Sequence, residues 1–176
     1  MKVLAIVGSL RTGSSNALFI QAAANLAPTC NAAIDIYEEL GMLPLFSPDI
    51  DTSTPPPQVA RLRSLIDGAD VVIVCTPEYA YGMPGALKNA LDWLVSSAQL
   101  YRKPVAALST SPSDRGGDRA LAWLLQTLSA LDAKVPEHAS FSVPHIKTKL
   151  DRESISDTQV ISQLETMFTS LRDCLD

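Results

Sequence analysis

The chain reads as an α/β protein, a three-layer sandwich whose five-stranded parallel sheet runs in the order 2-1-3-4-5 with helices on both faces. Short β-branched apolar runs alternate with longer stretches whose apolar residues fall three or four apart, the pattern of repeated βαβ units. Three of the runs are apolar without a break, as in strands covered on both faces, and two alternate apolar with polar residues, as edge strands do. The length of 176 residues suits one domain over residues 1–176.

The first central strand is Val3-Leu4-Ala5-Ile6-Val7, closed by Gly8. Ser14, Ser15 and Asn16 offer N-cap side chains to a helix over 16–26, with Leu18, Ala22 and Leu26 on one face. Ile34-Asp35-Ile36-Tyr37 reads as an edge strand, and the Pro-rich stretch 43–57 as a loop around the domain edge. A weaker helix over 59–66 leads to the second central strand, Val71 to Cys75. Pro84 opens the next helix, where a missing N–H does no harm. Leu87, Leu91 and Leu94 form its buried stripe, and Trp93 lies off that stripe. Val105-Ala106-Ala107-Leu108 is the third central strand. Leu121, Leu124, Leu125, Leu128 and Leu131 mark an amphipathic helix with Trp123 off its apolar face. Ala139, Phe141 and Val143, within a second Pro-rich stretch, mark the other edge strand. Val160, Leu164, Met167 and Leu171 mark the last helix.

Hydrophobic residues make up 47% of the chain and charged ones 19%, enough for a domain of this size to bury about 70% of its unfolded surface. The net charge of -5 argues against nucleic acid or an anionic membrane as a partner, so any bound anion needs a locally positive site. Cys30, Cys75 and Cys174 are an odd number with no C-x-x-C pair and read as reduced thiols. The apolar run after Lys2 is too short for a signal segment, which predicts a cytoplasmic protein.

In the 2-1-3-4-5 order the winding reverses between strands 1 and 3, and the ligand crevice opens at their carboxyl ends. The loop after strand 1 runs Gly8-Ser9-Leu10-Arg11-Thr12-Gly13-Ser14-Ser15-Asn16. Its hydroxyls, guanidinium and helix start form a phosphate cradle, although the same Ser and Asn residues also serve as helix caps. No G-x-G-x-x-G follows the strand, and Ser14 stands where a Walker A lysine belongs. No cysteine nucleophile occupies the loop, and no G-x-S-x-G occurs in the chain. The loop after strand 3, Thr76 to Gly85, carries Tyr79 and Tyr81 as flat surfaces, with Pro77, Gly82 and Gly85 allowing close backbone approach. A ring with heteroatoms suits it.

At these residues the sequence resembles the NADPH-dependent FMN reductases, flavodoxin-like enzymes that include quinone, azo-dye and chromate reductases. Gly8-Ser9-Leu10-Arg11 with Ser14 and Asn16 resembles the family's phosphate motif. Pro77-Glu78-Tyr79 through Pro84-Gly85-x-Leu87-Lys88-Asn89-x-x-Asp92-Trp93 resembles its second signature. Leu43-Pro44-Leu45-Phe46 with Asp49, and residues 109–117, match further segments. The resemblance implies that Ser9, Arg11, Ser14, Ser15 and Asn16 hold the FMN phosphate. Pro77, Glu78, Tyr79, Ala80, Tyr81 and Gly82 would line the isoalloxazine ring, and Ser111 and Gly116 would border it. It implies NADPH or NADH as co-substrate, a small-molecule electron acceptor such as a quinone, and a homodimer or homotetramer. Lys88, Asn89, Asp92 and Trp93 are expected in fold or dimer contacts, with Trp93 and Trp123 exposed at an interface. Ala80 departs from the Asn that many members carry, leaving one side-chain hydrogen bond fewer to the flavin, about 1 kcal/mol. A flavodoxin-like electron carrier and a non-catalytic regulatory protein are the alternatives. His138 and His145 read as surface residues, Cys75 as inert packing, and Arg115 or Arg119 as candidates for a nicotinamide nucleotide phosphate.

Overall fold

The computed structural model describes residues 1–151 and 154–175. In chain order the elements are β1 (Lys2–Val7), α1 (Ser15–Leu26), β2 (Ala33–Tyr37), α2 (Pro57–Asp67), β3 (Val71–Thr76), α3 (Gly85–Asp92) and β4 (Val105–Thr110). These are followed by α4 (Asp118–Ala130), β5 (Ser140–Val143), α5 (Ile146–Lys149), β6 (Leu150–Asp151), β7 (Ser154–Ile155) and α6 (Thr158–Arg172). The sheet runs β2-β1-β3-β4-β5, parallel throughout, with Ala5 opposite both Ile36 and Ile73. This is the predicted order.

Period-two alternation explains both cores. Leu4, Ile6, Val72, Val74, Val105 and Ala107 face Leu62, Ile66, Leu87, Leu91, Leu124 and Leu128 of α2, α3 and α4. Val3, Ala5, Ile73, Ala106 and Leu108 face Phe19, Ile20, Leu164, Met167 and Phe168 of α1 and α6. β3 and β4 are buried at every residue, whereas β2 and β5 keep partly exposed positions, as edges do.

Two sequence expectations need correction. The buried face of α1 is Asn16, Phe19, Ile20, Ala22 and Ala23, so Ala22 lies where expected, while Leu18 is 42% exposed and Leu26 only partly buried. Buried hydrogen bonds of Asn16 set the helix rotation, and Leu18, about 200° further round the axis, then faces water. Trp93 is fully buried, so it is no interface residue. The stretch after β2 folds over the outer side of α3 and covers it. Trp93 Nε1 donates to the Pro44 carbonyl at 2.9 Å, and its ring meets Phe46 edge-on at 5.1 Å. Asn89 fixes the same stretch, donating to the Pro44 carbonyl at 2.9 Å and accepting from the Phe46 amide at 2.8 Å. Trp123 does remain exposed, at 58%.

The short helix α5 and the β6–β7 hairpin are too brief for an apolar period to mark them in the sequence. Among the described residues no helix is long and apolar enough to cross a membrane.

Candidate functional site

The Gly8 amide donates to the Cys75 carbonyl at 2.8 Å, so β1 and β3 stay paired up to that residue and part beyond it. A Cβ on Gly8 would lie 2.9 Å from Leu87 Cδ2 and 3.3 Å from the Cys75 carbonyl oxygen, so a side chain there would have to displace the buried Leu87. The crevice begins there.

In the first loop the Arg11 amide donates to Ser9 Oγ at 3.3 Å and the Ser14 amide to the Arg11 carbonyl at 3.1 Å, with Gly13 at φ +63°. Ser14 Oγ caps α1 by accepting the Ala17 amide at 3.1 Å, which leaves its hydroxyl proton for a ligand. The Ser15 and Asn16 amides, which point out of the first helical turn, have no acceptor among the described residues. The Asn16 side chain is turned away from any ligand. Its Nδ2 donates to the Thr110 carbonyl at 3.4 Å, and its Oδ1 accepts from the Cys75 thiol at 3.2 Å. Burial pushes that thiol far above the usual range, so Cys75 is no nucleophile. Arg11 is exposed, with no carboxylate within 4.0 Å among the described residues.

In the second loop Tyr79 and Gly82 exchange backbone hydrogen bonds at 2.9 and 3.0 Å around a two-residue turn. Ala80 at φ +50° and Tyr81 at φ +64° both lie in the left-handed region, as a type I′ turn requires. Gly82 therefore has no free N–H for a ligand. Its smallness answers to Trp123, whose ring would lie 3.2 Å from a Cβ there. Glu78 is likewise committed, its Oε2 accepting the Arg119 and Ala120 amides at 3.0 and 3.1 Å and so capping α4. Arg119 stacks over the Tyr81 ring at 4.0 Å. Tyr79 and Ser9 join the two loops, hydroxyl to hydroxyl, at 3.2 Å.

In the third loop Ser111 Oγ pairs with Ser113 Oγ at 2.9 Å. Gly116 is buried at φ +65°, and a Cβ there would sit 2.9 Å from the Pro144 nitrogen, so packing on the end of β5 accounts for that glycine.

Ser9, Arg11, Ser14, Ser15, Asn16, Pro77, Glu78, Tyr79 and Ser111 together line one cleft of ≈ 320 Å³. Ala80, Tyr81, Gly82 and Gly116 do not line it. Thr110, Pro112 and Lys147 complete the wall, beyond the residues that the sequence predicts for it. Thr110 Oγ1 is a buried hydroxyl with no partner among the described residues. Lys147 reaches the cleft only through the placement of α5, which no local sequence signal announces. A second, larger cleft of ≈ 690 Å³ lies between the first loop and the segment after β2, with Leu10, Ile36, Leu40 and Met42 in its wall.

His138 and His145 are more than half exposed, and no cluster of metal-ligating side chains occurs among the described residues. Arg115 pairs with Asp118 at 2.6 Å on the surface. The cleft between the three loops thus offers hydroxyls, unpaired helix-start amides and a guanidinium together with tyrosine and proline surface. That donor set fits an anionic tail joined to a flat, partly apolar body.

The family model described as NADPH-dependent FMN reductase matches residues 1–148. The chain is 41% identical over 134 residues to an NAD(P)H-dependent FMN reductase of Pseudomonas aeruginosa, covering 75% of this chain and 71% of that protein. It is 34% identical over 157 residues to a quinone reductase of Escherichia coli, covering 88% and 83%. Among solved structures, the flavoenzyme NAD(P)H:(acceptor) oxidoreductase FerB from Paracoccus denitrificans superposes with a TM-score of 0.82 at 27% identity, covering 99% of this chain and 96% of that one.

Proposed function

Since the chain belongs to the NADPH-dependent FMN reductase family, we propose that it is an FMN-dependent NAD(P)H oxidoreductase acting on a quinone or similar small acceptor. The observation that carries the reading is the cleft at the switch point, whose wall combines the hydrogen-bond donors of the first loop with the flat side chains of the second.

The Arg11 guanidinium, the Ser9 and Ser14 hydroxyls and the Ser15 and Asn16 amides would hold the phosphate. Pro77 and Tyr79 would lie along the ring, with Ser111 at its border. The Ala80 and Tyr81 amides, without acceptors among the described residues, lie outside the cleft wall and would meet negative charge only on a ring that extends past Tyr79. When bound, FMN supplies the redox chemistry, taking a hydride from NADPH or NADH and passing two electrons to the acceptor. The protein binds, orients and shields; no side chain here need act as acid or base.

The assembly is a homodimer or homotetramer, a reading supported by the exposed Trp123 ring beside Gly82. The test is anaerobic oxidation of NADPH or NADH by purified protein loaded with FMN, with a quinone as acceptor. Direct turnover with ping-pong kinetics is expected. Flavin binding without turnover would instead make the protein an electron carrier, and no flavin binding would overturn the reading.

A further inference from the structure

We propose that Lys147 is the second cation of this cleft, beside Arg11, and that it selects FMN, the phosphorylated flavin, over riboflavin. This rests on reading the cleft as the flavin site. Lys147 lines the same cleft as Ser14, Ser15, Ser111 and Arg11.

Its backbone is firmly held. Ile146, beside it, is fully buried and donates its amide to the Ser111 carbonyl at 3.2 Å. His145 donates to the Ser113 carbonyl at 3.3 Å, and the Thr148 amide closes the turn on the His145 carbonyl at 2.9 Å. The segment after β5 is thereby fastened to the third loop, and α5 also packs against α1, the helix that opens on the cradle, so Lys147 enters the cleft between them.

Its charge is uncommitted. Lys149, two residues on, faces Asp157 at 3.7 Å, whereas Lys147 has no carboxylate within 4.0 Å among the described residues. The one acidic group in the cleft wall, Glu78, spends its Oε2 on the α4 amides. A phosphate monoester carries about -1.5 to -2 charges at neutral pH, and a chain of net charge -5 must offset them locally. Arg11 supplies a planar fork, and Lys147 adds a point charge on a flexible stem that follows the phosphate without a fixed geometry.

The test compares FMN and riboflavin binding, by quenching of flavin fluorescence, in the wild type, Lys147→Gln and Lys147→Arg at low and near-physiological ionic strength. Lys147→Gln should weaken FMN about five- to tenfold, in proportion to a charge-assisted contact by an exposed cation. Riboflavin affinity should stay unchanged, Lys147→Arg should bind FMN like the wild type, and the FMN deficit should shrink with salt. Undiminished FMN affinity in Lys147→Gln, or equal losses for both flavins, would overturn the proposal while leaving the flavin site standing. A wild type that binds neither flavin would overturn the flavin site itself and this proposal with it.

Discussion

The Cys75 thiol donates to Asn16 Oδ1 at 3.2 Å, joining the end of β3 to the first turn of α1 beneath the cleft. Because Asn16 Nδ2 also reaches the Thr110 carbonyl at 3.4 Å, one buried amide ties together β3, β4 and α1 where the strands diverge. Asn16→Ala leaves the thiol and the carbonyl without these partners in the interior. It should cost about 1 to 3 kcal/mol, read as a lower urea midpoint with an unchanged slope. An unaltered midpoint would show that the crosslink carries no stability.

Glu78 links the second loop to α4. Glu78→Ala should remove its cap, costing about 0.5 to 2 kcal/mol, and should speed hydrogen exchange at the Arg119 and Ala120 amides. Glu78→Gln keeps an acceptor oxygen and should preserve most of the protection. Exchange at those amides that is the same in Glu78→Ala as in the wild type would rule out the cap as a restraint.

Arg11→Ala should weaken FMN binding about tenfold, the effect of losing one charge-assisted contact. Fluorescence titration measures it directly, and unchanged affinity would remove Arg11 from the phosphate end.

The stretch after β2 is pinned by an ion pair, Asp51 with Arg63 at 2.8 Å, whose side chains are only 6% and 11% exposed. Hydrogen bonds from Ser96, then from Arg63, hold the Asp51 carboxyl below its ordinary value of 3.8. The folded pKa is thus lower than the unfolded one. The stabilisation is complete above the unfolded value and is lost as pH falls through the folded value. Asp51→Asn should destabilise the protein at neutral pH by about 1 to 3 kcal/mol, since Arg63 loses its anion but keeps the Trp93 carbonyl. The difference between wild-type and variant urea midpoints should also narrow below about pH 4. A gap that stays constant into acid would refute the assignment.

The strand order, the three buried strands and the two loops at the switch point were readable because a short, unbroken apolar run suits a strand covered on both faces and strict alternation suits an edge. The first loop could be read from residue types alone. What escaped depended on tertiary placement. The burial of Trp93 follows from Pro44 and Phe46 crossing α3, a contact no periodicity encodes. Gly82 and Gly116 looked like ligand-facing glycines, but Trp123 and Pro144 occupy the space beside them. Lys147 enters the cleft through a four-residue helix too short to leave a pattern.

Ala80 occupies the first position of the tight turn at φ +50°, where an L-residue with a Cβ costs about 1 to 2 kcal/mol unless its side chain bonds locally. Asn tolerates this region and favours the first central position of a type I′ turn, and Ala80 is exposed, so the larger side chain meets no core. Gly would relieve the same strain but would widen the unfolded ensemble and give part of the gain back. Ala80→Asn should therefore stabilise the protein by about 1 kcal/mol, seen as a rise in Tm of about 2 to 4 °C for a chain of this size. Ala80→Val should lower Tm, because a β-branched residue resists the left-handed region. If Asn and Val shifted Tm equally, the turn would not be held in the left-handed conformation in solution.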